Sequence, residues 1–161
     1  MTMENLKLTF FVNLYGLLKI PLVLFVNPRV VLMSKEKFII KIPLNFRTKN
    51  HLNSMYFGAM GVGAELSIAG PAVILINESK MKIDFVFKDF QASYLKRAEG
   101  DVHFICEDVE SVSKLIEQSK TSAERFEKKI KGYAVVPKKS EQDPVMTFEL
   151  TLSVRNRSFK A

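Results

Sequence analysis

The longest apolar run of the chain lies in the stretch 50–77, NHLNSMYFGAMGVGAELSIAGPAVILIN. Small and apolar residues occupy almost every position, leaving no polar face, so the pattern predicts a long, buried helix. Glu65 is the one acid between His51 and Glu78. Gly58, Gly61 and Gly63 fall in the first turns. Each interior glycine costs about 1 kcal/mol against alanine, so tertiary packing must hold this helix. What the glycines permit is close approach by a sheet, a second helix or a ligand. Asn53 or Ser54 is placed to cap the first turn, and Pro71 predicts a kink late in the helix.

The period changes on either side of this run. Residues 6–26 are rich in Leu, Phe and Val, are interrupted by Lys7, Asn13 and Lys19, and are broken by Pro21. Leu6, Phe10, Leu14, Leu17 and Leu18 share one helical face, which predicts an amphipathic helix docked on the domain through that face. Its alternative is a peripheral membrane contact. No small-residue cleavage site follows, and the lysines argue against a spanning helix. VVLM and FIIKIPL, separated by SKEK, predict a hairpin with Phe38, Ile40 and Ile42 on one face. From Lys80 to Phe90 the alternation of Met81, Ile83, Phe85 and Phe87 predicts a half-buried strand. Residues 93–108 predict another, bent at Gly100. Val109, Val112, Leu115 and Ile116 return to helical spacing, with Asp108 as cap. Residues 125–136 and 145–157 predict two last strands, joined by the turn PKKSEQDP. Short links between strands call for an antiparallel sheet. The arrangement that buries a small-residue helix is α+β: a curved sheet wrapped around it, with the N-terminal helix as a cover for the sheet's other face. A single domain over 1–161 is expected, with 1–29 as lead-in and 30–161 as core.

Composition narrows the chemistry. One cysteine, Cys106, rules out an internal disulfide framework and fits a reducing, cytoplasmic setting. Two histidines and that cysteine are too few for a His/Cys zinc site, so no metal is expected. The net charge of +7 suits anions in general, phosphorylated cofactors among them. No nucleic-acid recognition motif accompanies it.

The segment RTKNHLNSMYFGAMGVGAELSIAG resembles the signature of a hotdog-fold family of largely uncharacterised bacterial proteins, which is similar to acyl-CoA thioesterases of the phenylacetate-pathway type. The KIPLVLFVNPRVV lead-in and the late strands extend the resemblance over most of the chain. In the thioesterases an Asn is followed six residues later by a His and two glycines, and an acid comes nine residues after that His. Here Asn50 matches the Asn, Gly58 the second glycine and Glu65 the acid, whereas Tyr56 replaces the His and Phe57 the first glycine. The resemblance implies a hotdog fold, and an acyl-CoA or other acyl thioester as substrate. It requires no cofactor beyond the coenzyme A that the substrate carries. It also implies a homodimer or a dimer of dimers whose sites combine groups from paired helices.

On that reading Glu65 is the base or nucleophile, and the backbone N–H groups at the helix start near Gly58 polarise the thioester carbonyl. Asn50 orients the carbonyl or an attacking water, and Tyr56 donates a hydrogen bond. Met55, Phe57 and Arg47 complete a substrate-binding set. Arg47, Lys49, Lys88, Lys96 and Arg97 are candidates for the coenzyme A phosphates. The competing readings are an acyl or acyl-CoA binder that lost its chemistry with the His, and a hydroxyacyl-thioester dehydratase, which the missing His disfavours. Cys106 reads as a small buried hydrophobe, and His103 as a sheet residue.

Overall fold

The computed structural model describes residues 2–159. In chain order they form α1 (Met3–Lys19), α2 (Pro21–Val26), β1 (Arg29–Met33), β2 (Phe38–Ile42), α3 (Phe57–Ser79), β3 (Ile83–Tyr94), β4 (Val102–Cys106), α4 (Val109–Ser119), β5 (Arg125–Val135) and β6 (Met146–Asn156). The strands make one antiparallel sheet in the order β1-β2-β4-β5-β6-β3. It curves around α3, which crosses β2, β4, β5 and β6, with α4 beside it on β5 and β6. Alternation sets the faces. Phe38, Ile40 and Ile42 of β2 are fully buried, while Ile39 and Lys41 between them are half-buried. Asp108 caps α4 as expected, its carboxylate accepting from the Ser111 N–H at 3.3 Å.

The central helix lies close on the sheet because two of its residues have no side chain. A Cβ on Gly63 would come within 2.3 Å of the Phe104 ring, and one on Gly70 within 2.5 Å of the Phe38 ring. Both rings are fully buried. Among the described residues α3 is the one helix long and apolar enough to cross a membrane, and most of it is buried inside the fold.

Four features depart from the sequence reading. First, α3 starts at Phe57, beyond the expected caps Asn53 and Ser54. The Asn50 side-chain oxygen accepts from the N–H groups of Leu52 (2.9 Å) and Ser54 (3.2 Å), closing an Asx-type turn. The Met55 N–H donates to Ala98 O and the Tyr56 N–H to Thr48 O, both at 2.8 Å. Asn53 sits at φ 58°, outside helical space. The N-cap is therefore Tyr56, and no side chain caps the helix. At its far end α3 continues through Pro71, whose surroundings are buried.

Second, the stretch 93–108 is not one strand. β3 ends at Tyr94 and β4 begins at Val102. The link between them is held by bonds from Leu95 N–H to Val145 O and from Met55 N–H to Ala98 O. Third, β3 carries a bulge between Phe87 and Phe90 that its alternation did not disclose. The extra residue lets the Asp89 carboxylate accept from the Thr151 N–H (3.0 Å) and hydroxyl (2.8 Å).

Fourth, α1 docks through the wrong face for a simple amphipathic cover. Val12 and Gly16 are its buried residues, whereas Leu6, Phe10, Leu14, Leu17 and Leu18 are exposed. The helix lies against the sheet's β1 edge, not its open face. Thr9 Oγ1 accepts from the Val30 N–H at 2.9 Å, Asn5 Nδ2 donates to Val31 O at 2.5 Å, and Asn13 Nδ2 donates to Pro28 O at 2.9 Å. Residues 5, 9 and 13 form one row along a helix. That row satisfies backbone groups that an edge strand otherwise leaves open.

Candidate functional site

One strip of α3 escapes the sheet. It runs from Phe57 and Gly58 past Gly61 and Val62 to Glu65, which are exposed or half-buried while the opposite side of the helix is buried. The strip begins at the uncapped helix start, where first-turn N–H groups have no intrahelical partner and carry the positive end of the helix dipole. Gly58 lies in this turn. Its missing side chain leaves room that the Tyr56 ring occupies, since a Cβ there would sit 2.5 Å from Tyr56 Cε1. Phe57 stacks edge-on against both Tyr56 (4.9 Å between centroids) and Tyr94 (6.3 Å). The Tyr94 hydroxyl donates to Phe57 O at 3.4 Å.

Glu65 closes the strip two turns further on, about 10 Å along the axis. It is an exposed residue of the single chain, yet apolar groups crowd its carboxyl. Burial raises its pKa above the ordinary 4.5, and among the described residues no hydrogen bond or neighbouring charge offsets that rise. The carboxyl opens on a cleft of about 450 Å³ between α1, α2, α3 and β3. Tyr15, Ile20 and Val23 form one wall, Phe85 and Phe87 the other, and Leu66, Ala69 and Val73 of α3 the floor. A helix-borne acid at the mouth of an apolar cleft, in line with open N–H donors, can hold an acyl group and take a proton beside it.

The structure brings Glu65, Gly58, Tyr56 and Phe57 onto this strip, but disperses the other candidates. Asn50 serves the turn before α3, where its Nδ2 also donates to Ser54 Oγ at 3.1 Å. Met55 is buried in the core. The Arg47 guanidinium lies over the rings of Phe25 (5.8 Å) and Phe46 (5.4 Å), away from the cleft lining. Lys88 pairs with Glu127 at 2.8 Å and Lys96 with Asp143, while Lys49 reaches Asn53 at 3.4 Å. Cys106 is buried, and burial pushes its thiol up to about 11. The α1–α2 wall of the cleft was not foreseen. Its signal was Gly16 followed by Pro21 and Val23, a small residue against which a short second helix can fold back: Val23 Cγ1 would lie 3.0 Å from a Cβ on Gly16.

The family described as "Domain of unknown function (DUF4442)" matches residues 11–154. The chain belongs to the DUF4442 family. The match takes in the second half of α1, all of α3 with Glu65, and the sheet nearly to its last residue. No curated protein matches this DUF4442 chain. Among solved structures it is similar to a protein of unknown function from Chlorobaculum tepidum TLS, at 13% identity and TM-score 0.78, over 94% of this chain and 96% of that one. It is similar to a candidate thioesterase from Shewanella oneidensis, at 13% identity and TM-score 0.75, over 91% and 96%. It is also similar to thioesterase HI1161 from Haemophilus influenzae, at 16% identity and TM-score 0.65, over 97% and 92%. The DUF4442 chain has the hotdog fold.

Proposed function

We propose that this DUF4442 protein is an acyl-thioester hydrolase, with an acyl-CoA as substrate, acting as a homodimer or dimer of dimers in the cytoplasm. The observation that carries the reading is Glu65: an unpartnered acid with a raised pKa, at the mouth of an apolar cleft and on the same helical strip as uncapped N–H donors. The acyl chain lies in the cleft and the thioester carbonyl lies along the strip. Donors near Gly58 stabilise the carbonyl oxygen as it gains charge. Glu65 takes a proton from water, whose oxygen bonds to the carbonyl carbon. The C–S bond then breaks, the leaving sulfur takes up the proton, and a carboxylic acid and a free thiol result. Tyr56 and Phe57 border the carbonyl. Asn50 acts through the turn that sets the start of α3, and Met55 through the packing beneath it. The thioesterase named among the structural neighbours agrees with this reading.

A second reading, an acyl-CoA binder without turnover, has one observation in its favour: the Tyr56 ring stands over Gly58 where the related thioesterases have a His. Thiol release from a panel of acyl-CoAs separates the two. Hydrolysis that falls about a hundredfold or more in Glu65→Gln, with the fold intact, supports the enzyme. Tight binding of acyl-CoA without thiol release supports the binder. In the enzyme the rate rises with pH as Glu65 ionises, with its midpoint above the ordinary carboxylate value because the group is desolvated.

A further inference from the structure

We propose that α1 and α2 form a docking surface for an anionic lipid bilayer. α1 turns Leu6, Phe10, Leu14 and Leu17 to solvent, with Phe10 68% and Leu17 56% exposed, and α2 adds Leu22 and Phe25. This strip is not a loosely placed helix that could roll over and bury itself. The bonds from Asn5, Thr9 and Asn13 to β1 and to Pro28 fix the roll of α1, and Val12 and Gly16 fill its inner side. The fold therefore holds an apolar helical face outward, and contiguous apolar surface of this kind marks an interaction site.

Charge decides the occupant. Lys7 lies beside Leu14 at the edge of the strip on α1, and Arg47 lies against Phe25 and the exposed Phe46 at its far side. Glu4 is the one acid of α1 and α2. A second copy meeting this face about a two-fold axis would set the same basic rim against itself. An anionic bilayer complements both parts at once: acyl chains take the apolar side chains, and headgroups take Lys7 and Arg47 at its margins. The whole chain carries +7, which adds attraction at long range. The cleft walled by Tyr15, Ile20 and Val23 opens beside this surface, so a docked molecule would meet amphiphiles at the membrane. The proposal does not depend on the hydrolase reading, because its test reads binding and no turnover.

The test is co-sedimentation of the full chain with vesicles of phosphatidylcholine, with and without phosphatidylglycerol, at low and high salt. Binding is expected to the vesicles that contain phosphatidylglycerol and to weaken with salt. Phe10→Asp with Leu17→Asp should lower partitioning about tenfold or more at an unchanged melting temperature, since both side chains already face water. Lys7→Glu should lower binding to the anionic vesicles by about fivefold or more. If the double aspartate variant folds poorly, the Lys7 variant carries the test. Wild-type protein that stays in the supernatant with both kinds of vesicle overturns the proposal. So does a double aspartate variant, well folded, that binds as the wild type does. A drop in oligomeric mass by light scattering in that variant, with no vesicle binding by the wild type, assigns the face to a second copy and likewise overturns it.

Discussion

Gly61 and Gly63 are neighbours on α3, yet they meet different surroundings, and the difference has a sign. A Cβ at Gly61 would find only Phe90 Cε1 at 3.9 Å, an ordinary contact. Gly61→Ala should therefore stabilise the protein by up to about 1 kcal/mol, the helix-propensity difference. A Cβ at Gly63 would lie 2.3 Å from the buried Phe104 ring, which cannot move without disturbing β4. Gly63→Ala should cost about 1–3 kcal/mol net of the same propensity gain. Urea denaturation of both variants checks the contrast. Glu65 offers a second test at this scale. Its folded-state pKa is raised by desolvation, so any stability it adds is present below the ordinary 4.5 and is lost as pH rises through the folded value. At pH 7 the ionised side chain is a burden. Glu65→Gln should raise the melting temperature at pH 7, and the gain should shrink as pH falls through the folded value toward 4.5. The variant that loses activity is thus expected to be the more stable one, as befits a group held for chemistry.

Among the elements, α1 depends on a polar row that its apolar pattern conceals. Val30 is fully buried, and its N–H is satisfied by the Thr9 hydroxyl. Thr9→Val keeps the shape and removes the acceptor, so it should cost about 1–3 kcal/mol. Amide exchange at Val30 should accelerate more than at the β2 amides that keep their sheet partners. The same helix shows where legibility ended. Periodicity placed the hairpin, the start of β3 and α4 because each has one face against the core, and burial writes itself into a sequence as a repeat; α3 was legible as an unbroken apolar run instead. In α1 the repeat was present, but it pointed outward. A hydrophobic repeat records an apolar face without saying what covers it, whereas Asn5, Thr9 and Asn13 mark the inner side by hydrogen-bond chemistry. The start of α3 was misjudged for a related reason. Asn50–Tyr56 is short and uncharged apart from His51, and only the tertiary bonds to Thr48 and Ala98 decide that it is a turn. The acid and the glycines of the strip were legible as residue types, but the cleft was not, because α1, α2 and β3 contribute its walls from distant parts of the chain.

For the whole molecule, the two edges of the sheet are treated differently, and that asymmetry bears on how a complete site would form. The β1 edge is covered by α1, whereas among the described residues β3 pairs only with β6 and sets the exposed Phe90 and Tyr94 beside the Phe57–Gly61 end of α3. A long uncovered edge next to exposed aromatics suits a second copy. Glu65 and Gly58 lie about 10 Å apart along one helix, a long span for one carbonyl group, and a second α3 packed across this seam would bring a foreign helix start nearer to Glu65. Complementation distinguishes a shared site from one built within a chain. Glu65→Gln and Gly58→Val should each be inactive alone. In a shared site, a heterodimer of the two keeps one intact pairing of acid and helix start and loses the other. Random mixing during co-expression should then restore about a quarter of wild-type thiol release. A site confined to one chain would recover nothing, because every copy carries one lesion. Phe90→Asp, which charges the seam and leaves Glu65 and Gly58 in place, should lower the oligomeric mass by light scattering and remove hydrolysis together. Loss of mass with full retention of turnover would assign the chemistry to the single chain.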